Sequence, residues 1–206
     1  YDIEGHDLRS SYEDWVEGYD TPYGIARTSE LMLFPYGEMP SRAEISDMAN
    51  IGQDIVQMMV TPQYLHDAGA FGVWSLPARN GNDTQQYLER QIDKYLKYYE
   101  TCIESQRWYG FWNYGDVMHS YNPDRHCWNY DAGGRAWDNT ELETDLWLWF
   151  GFIRSGRPDF FRMATAMTRH TSEVDAYHIG RMKGLGTRHN VSHWGCGAKE
   201  ARVGQA

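Results

Sequence analysis

The sequence predicts an all-α protein, an array of helical hairpins joined by long loops. Three observations carry that reading. Amphipathic stretches open on helix-capping signals, convincing strand alternation is missing after residue 40, and the irregular connections are crowded with aromatic side chains.

Residues 1–40 are polar and rich in Gly, Pro and Tyr, with one short apolar run at Leu31–Phe34, and read as a leading segment rather than a helix. At Ser41 a capping box forms with Glu44. Ile45, Met48, Ile51, Ile55, Met58 and Met59 then recur at helical spacing until Pro62. After a Gly/Pro/Asn-rich passage, Asp83 with Gln86 opens a second helix. Leu88, Ile92, Tyr95, Leu96, Tyr99 and Ile103 share one side of it as far as Arg107. From Trp108 to Trp137 the period is lost in a long aromatic loop, a kind of segment that usually carries function. Asp138 with Glu141 marks a third helix through Leu142, Leu146, Trp149, Phe150 and Ile153, stopping at Gly156. Pro158 opens a fourth with Phe161, Ala164 and Met167. No tandem repeat of the tetratricopeptide kind is present. The last residues read as the opening turns of a helix, so both ends are expected to be cuts through a longer protein.

Composition excludes several classes. The chain has a formal charge of -10, which disfavours a nucleic-acid partner, because phosphate binding needs an extended basic face. No run approaches the roughly 18 apolar residues of a membrane span. Three cysteines, Cys102, Cys127 and Cys196, without a C-x-x-C pair suggest neither a disulfide framework nor a zinc ribbon, and leave the compartment open. P-loop, nucleophile-elbow and dinucleotide fingerprints are missing. Nine Trp and fifteen Tyr exceed what a small core needs and point to a ring-shaped ligand. Against the acidic background, residues 169–202 hold six Lys/Arg, three acids and four of the eight histidines, a local surplus of +3 that would draw an anionic ligand.

Several strings carry a family resemblance: EGHDLRSSYEDWVEGYDTPYGIARTSEL, GVWSLP, WYGFWNYGDVMHSYNPDRHCWNYDAGGRAWDNTELETDLWLW, FRMATAMTRHTSEVDAYH and GLGTRHNVSHWGCGAKEAR. Through them nearly the whole chain resembles exo-acting rhamnogalacturonan lyases, polysaccharide lyase family 26, within the C-terminal α/α-toroid domain. The resemblance implies that residues 1–40 lead in from a preceding β domain and that 41–206 are an incomplete toroid, inactive alone. It also implies an acidic plant-type polysaccharide as partner, the N-terminal β domains of the same full-length chain as neighbours, and no cofactor. Calcium would be conceivable, but no EF-hand-like loop supports it.

Such a lyase cleaves at C4 of a uronate by β-elimination. It needs a cation on the C6 carboxylate, a base for the C5 proton and an acid for the departing O4. Arg188 is expected to pair with the carboxylate, His189 to act as base and Asn190 to donate to the developing enolate, with His193 close behind and the Gly184-Leu185-Gly186 turn permitting close approach. Tyr177 is the candidate proton donor to O4, beside His178. His119, Tyr121, Tyr130, Arg135, Trp137, Asn139 and His178 are the expected sugar-binding groups. Each has a structural alternative: loop stitching for Arg188 and His189, capping for Tyr177 and His178, core packing for the aromatics. A structural role is the expectation for His170, and a core role for Trp112, Trp147 and Trp149.

Three rival functions remain open on sequence. A toroid glycoside hydrolase would draw on Asp116, Asp138, Glu141 and Asp145. A metal site would use His189, His193 and Cys196, with Asp175 and His178 near in sequence, if that stretch were helical. A non-catalytic carbohydrate-binding module would use the aromatics and spare the histidines. Sequons fall at Asn82 and Asn190, the second inside the expected site.

Overall fold

Among the described residues the chain forms five helices and one two-stranded ribbon. The structure is a computed structural model and describes residues 23–53, 58–111, 113–130, 136–138, 142–180 and 183–184. Helix α1 spans Arg42–Gln53, α2 Pro62–Asp67, α3 Asp83–Gln106, α4 Thr144–Ser155 and α5 Pro158–Glu173. Strands β1, Tyr121–Asn122, and β2, Cys127–Trp128, pair antiparallel.

The capping box at α1 forms as predicted. Ser41 N–H donates to Glu44 Oε2 at 2.8 Å, and Glu44 N–H returns to Ser41 Oγ at 3.3 Å. The helix is shorter than its apolar period suggests. Its described span reaches Gln53, residues 58–60 are not helical, and a separate turn, α2, begins at Pro62 with Thr61 as its N-cap. Pro at the first helical position starts this element rather than merely ending the one before. None of the residues of α1 is buried.

Helix α3 is capped one residue earlier than predicted. Asn82 Oδ1 accepts from Gln85 N–H, and the Gln85 side chain accepts from Asn82 N–H, each at 3.0 Å. Its buried side is narrower than the predicted stripe. Leu96 and Cys102 are buried and Ile92, Tyr99 and Ile103 pack against the core, whereas Leu88 and Tyr95 are exposed.

Helices α4 and α5 form a tight hairpin. Gly156 caps α4 at φ +70°, its N–H reaching Phe152 O at 2.7 Å, and Pro158 restarts the helix two residues on. Gly151 lets the two helices close, since a Cβ there would lie 2.4 Å from the Phe160 ring. Phe160, Met163, Ala164 and Met167 bury the inner side of α5 against Leu148 of α4 and against Trp108, Val117, Met118 and Trp137 of the aromatic loop. Trp147 and Trp149 are only half-buried and pack at the core's margin, Trp149 Nε1 donating to Thr168 Oγ1 at 2.8 Å.

Two long-range ties fix the frame. The buried Arg154 donates to Ser75 O at 2.8 Å and in bidentate fashion to Glu89 at 2.6 and 3.0 Å, which holds the Glu89 carboxyl below its usual range. The leading segment lies along the end of α5, with Ala26 N–H on Glu173 O at 3.1 Å and His178 N–H on Gly24 O at 2.6 Å.

Candidate functional site

Two short stretches of the aromatic loop, 117–120 and 136–138, run antiparallel. Met118 bridges Trp137, His119 N–H donates to Ala136 O at 3.0 Å, and Asp138 N–H donates to Val117 O at 2.9 Å. That pairing sets the side chains of His119 and Asp138 side by side although 19 residues separate them.

Asp138 is the hub. Its carboxylate, 1% exposed, takes the His119 ring through Nδ1 on Oδ1 at 3.1 Å. On Oδ2 it accepts the Thr144 hydroxyl at 2.6 Å and the Tyr99 phenol at 3.1 Å. Burial and the Asp138 charge push the Tyr99 phenol well above its usual range, so it stays protonated and donates. A carboxylate accepts, so in this pair the proton sits on His119 Nδ1. The His119 side chain is 41% exposed. An imidazole oriented by a buried acid and partly exposed at the surface has the build from which general bases are made.

The capping box predicted at Asp138 and Glu141 is not what this carboxylate does. Helix α4 begins at Thr144 with no side-chain cap at Glu143, and Asp138 is taken up by Tyr99, His119 and Thr144; Glu141 lies outside the described residues.

Aromatic rings surround this pair in a layered set. Trp108 and Trp137 are buried at the base, 5.1 Å apart between centroids. Trp128 packs edge-on against Trp108 at 5.3 Å and against Tyr121 at 5.4 Å. Trp108 Nε1 donates to the Tyr130 hydroxyl at 2.7 Å, which leaves that hydroxyl's own proton for another acceptor. Tyr121 and Tyr130 are exposed and can meet a sugar ring.

The expected site residues divide accordingly. His119, Tyr121 and Tyr130 belong to one loop surface. Trp137 sits beneath it as floor, buried by Trp108 and Tyr130, and is no stacking face. Tyr177 is 3% exposed, which withdraws its phenol from a substrate, and the adjacent His178 is exposed with Nε2 on Glu173 O at 3.1 Å. Arg135, Asn139, Arg188, His189, Asn190 and His193 lie outside the described residues, as do Trp112 and Cys196. Asp116 and Asp145, named for hydrolysis, are buried; Asp116 faces His170 and Asp145 lies in the first turn of α4. Asp138 itself was legible as a helix cap or a hydrolytic acid and not as the partner of His119, because that role depends on a strand pairing that two-residue alternation in Val117/His119 and Ala136/Asp138 barely announces.

Gly115 fixes the loop to α5. At φ +99° it brings its backbone so near that a Cβ would lie 2.1 Å from Ala166 O. Asp116, next in the chain, faces the buried His170.

Helical hairpins joined by long functional loops are the build of an α/α toroid. Comparison with known proteins gives the family. Residues 55–206 match the family model described as the PcRGLX-like protein C-terminal alpha/alpha toroid domain, and residues 1–50 match the PcRGLX-like protein central beta sandwich domain. The chain belongs to the PcRGLX-like family, in agreement with its resemblance to rhamnogalacturonan lyases. It is 49% identical over 199 residues to the uncharacterized protein YetA of Bacillus subtilis (strain 168), covering 97% of this chain and 23% of that protein. The chain thus spans about a quarter of the length of the curated relative it matches.

Proposed function

We propose that this chain is part of a polysaccharide lyase that cleaves a rhamnogalacturonan-type polymer by β-elimination. The observation that carries the reading is the His119 imidazole, oriented by the buried Asp138 and partly exposed on the aromatic loop. In this reading His119 Nε2 takes the C5 proton of a uronate as the C4–O4 bond breaks and the C4–C5 double bond forms. Tyr130, whose oxygen already accepts from Trp108, gives its proton to the departing O4 and recovers one from water. Tyr121 and Tyr130 offer ring faces to the sugar. Arg188 remains the group proposed for the C6 carboxylate, suited to bidentate pairing, and Asn190 for its enolate; Arg135 remains a proposed sugar-binding group, and the base role first expected of His189 passes in this reading to His119.

In the full-length protein, His119→Ala is expected to lower the rate of 4,5-unsaturated product formation by about 10²- to 10⁴-fold, the span of a general base. Asp138→Asn should also lower kcat, by misorienting the ring. Ultraviolet absorbance of the unsaturated uronate is the measurement, with circular dichroism to verify folding. Turnover near normal in His119→Ala would remove this base, and cleavage without the chromophore would turn the assignment to hydrolysis.

A further inference from the structure

Away from His119, a cleft of about 860 Å³ opens between α5, the end of α4 and the segment around α1. Such a volume suits a ligand of several rings or a few sugar units. Its wall on α5 is made by Phe161, Arg162, Thr165 and Arg169, which share one side of the helix through their spacing of three, four and seven. Phe152 and Tyr114 complete an aromatic lining.

The charge and the polar groups of this cleft point one way. Arg162 and Arg169, two helical turns and roughly 10 Å apart along the axis, put two guanidinium groups on one wall of a chain whose net charge is -10. Glu30 pairs with Arg169 at 2.5 Å. That pair is well exposed on the Glu30 side, so a ligand carboxylate can compete for the guanidinium at little cost. Between the two arginines the buried Thr165 Oγ1 has no hydrogen-bond partner among the described residues, a polar atom suited to a hydroxyl of the ligand. Cations, ring faces and a spare hydroxyl on one wall are the recognition set of an acidic sugar.

We infer that the α5 cleft is a second saccharide subsite, distinct from the His119 surface, which binds the carboxylate of a uronate residue through Arg162 and Arg169. From the proposed function the inference takes only the uronate-bearing ligand, not the elimination step.

The test is calorimetric titration of the full-length protein with a rhamnose–galacturonate oligosaccharide and with the same oligosaccharide after carboxyl reduction. Arg162→Gln is expected to weaken the acidic probe about tenfold, the loss of one charged hydrogen-bonding pair, while the reduced probe binds as it does to the parent. Arg162→Gln/Arg169→Gln should narrow the preference for the acidic form further, the remainder belonging to the carboxylate groups proposed around Arg188, and Arg162→Lys should restore part of it. Unaltered affinity in the double variant would overturn the inference, and so would equal loss of both probes or failure of the parent to prefer the acidic one. Arg162-dependent affinity in a protein that makes no unsaturated product would leave the cleft standing and remove the elimination reading. Product formation with Arg162-independent affinity would do the reverse.

Discussion

His170 shows how a single side chain can be structural for a reason its position alone does not disclose. It occupies the last turn of α5, where a cation is favoured by the helix dipole, but it is fully buried between two acids. Nε2 lies 3.5 Å from both Asp116 Oδ2 and Asp175 Oδ1, and Nδ1 is 3.2 Å from Tyr114 O. Burial pulls the pKa of the imidazole down, Asp175 and then Asp116 pull it up, Arg27 opposes them, and the net direction is upward. The sign follows. A histidine whose folded pKa is raised stabilises the protein fully below its unfolded pKa, about 6.5, and that contribution is lost as pH rises through the higher folded value. Thermal unfolding followed by calorimetry between acid and alkaline pH is therefore expected to lose stability on the alkaline side, and His170→Asn should flatten that slope. An unchanged slope in the variant would assign the pH dependence to other groups.

At the scale of elements, the α4–α5 hairpin is the part most clearly written in the sequence. Gly156 and Pro158 stop one helix and start the next for purely local reasons, and Ser41 with Glu44 does the same for α1. What local pattern cannot give is the choice between neighbouring caps and between near and distant partners. Asn82 rather than Asp83 caps α3, and Asp138 serves Tyr99, His119 and Thr144 rather than a helix start. Period alone also overstates burial. Leu88 and Tyr95 share the apolar side of α3 and stay exposed, because spacing tells which residues align and not how far a neighbour extends over them. Close contact at Gly151 makes the hairpin sensitive to a single methyl group. Gly151→Ala is expected to cost about 1–3 kcal/mol through overpacking against Phe160, seen as a lower Tm, whereas an unchanged Tm would mean that the helices slide apart freely.

For the molecule as a whole, the apolar surface is more telling than the charge. Leu31, Leu33, Met39, Met58 and Val73 are nearly fully exposed, and Tyr87, Leu88, Tyr95 and Tyr98 of α3 are each more than half exposed. So many large apolar side chains left exposed fit contact with something else, in a chain that spans 23% of its relative's length. Produced by itself, the 206-residue chain is expected to bind anilinonaphthalene sulfonate and to self-associate with concentration, as sedimentation would detect. The full-length polypeptide should do neither, and a monodisperse, dye-silent chain would mean these residues need no cover.

The strip from Tyr114 to His119 joins the His119 surface to the α5 cleft and cannot stretch. Gly115 is wedged on Ala166, Asp116 faces His170, Val117 holds Asp138 and Met118 bridges Trp137. Five residue steps reach at most about 18 Å, so the ring wall of the cleft and the backbone that bears the imidazole stand no farther apart than that. The molecule thereby carries its own ruler: on the proposed reading a handful of linked monosaccharides touches both marks, and extending the polymer further adds nothing to the hold between them.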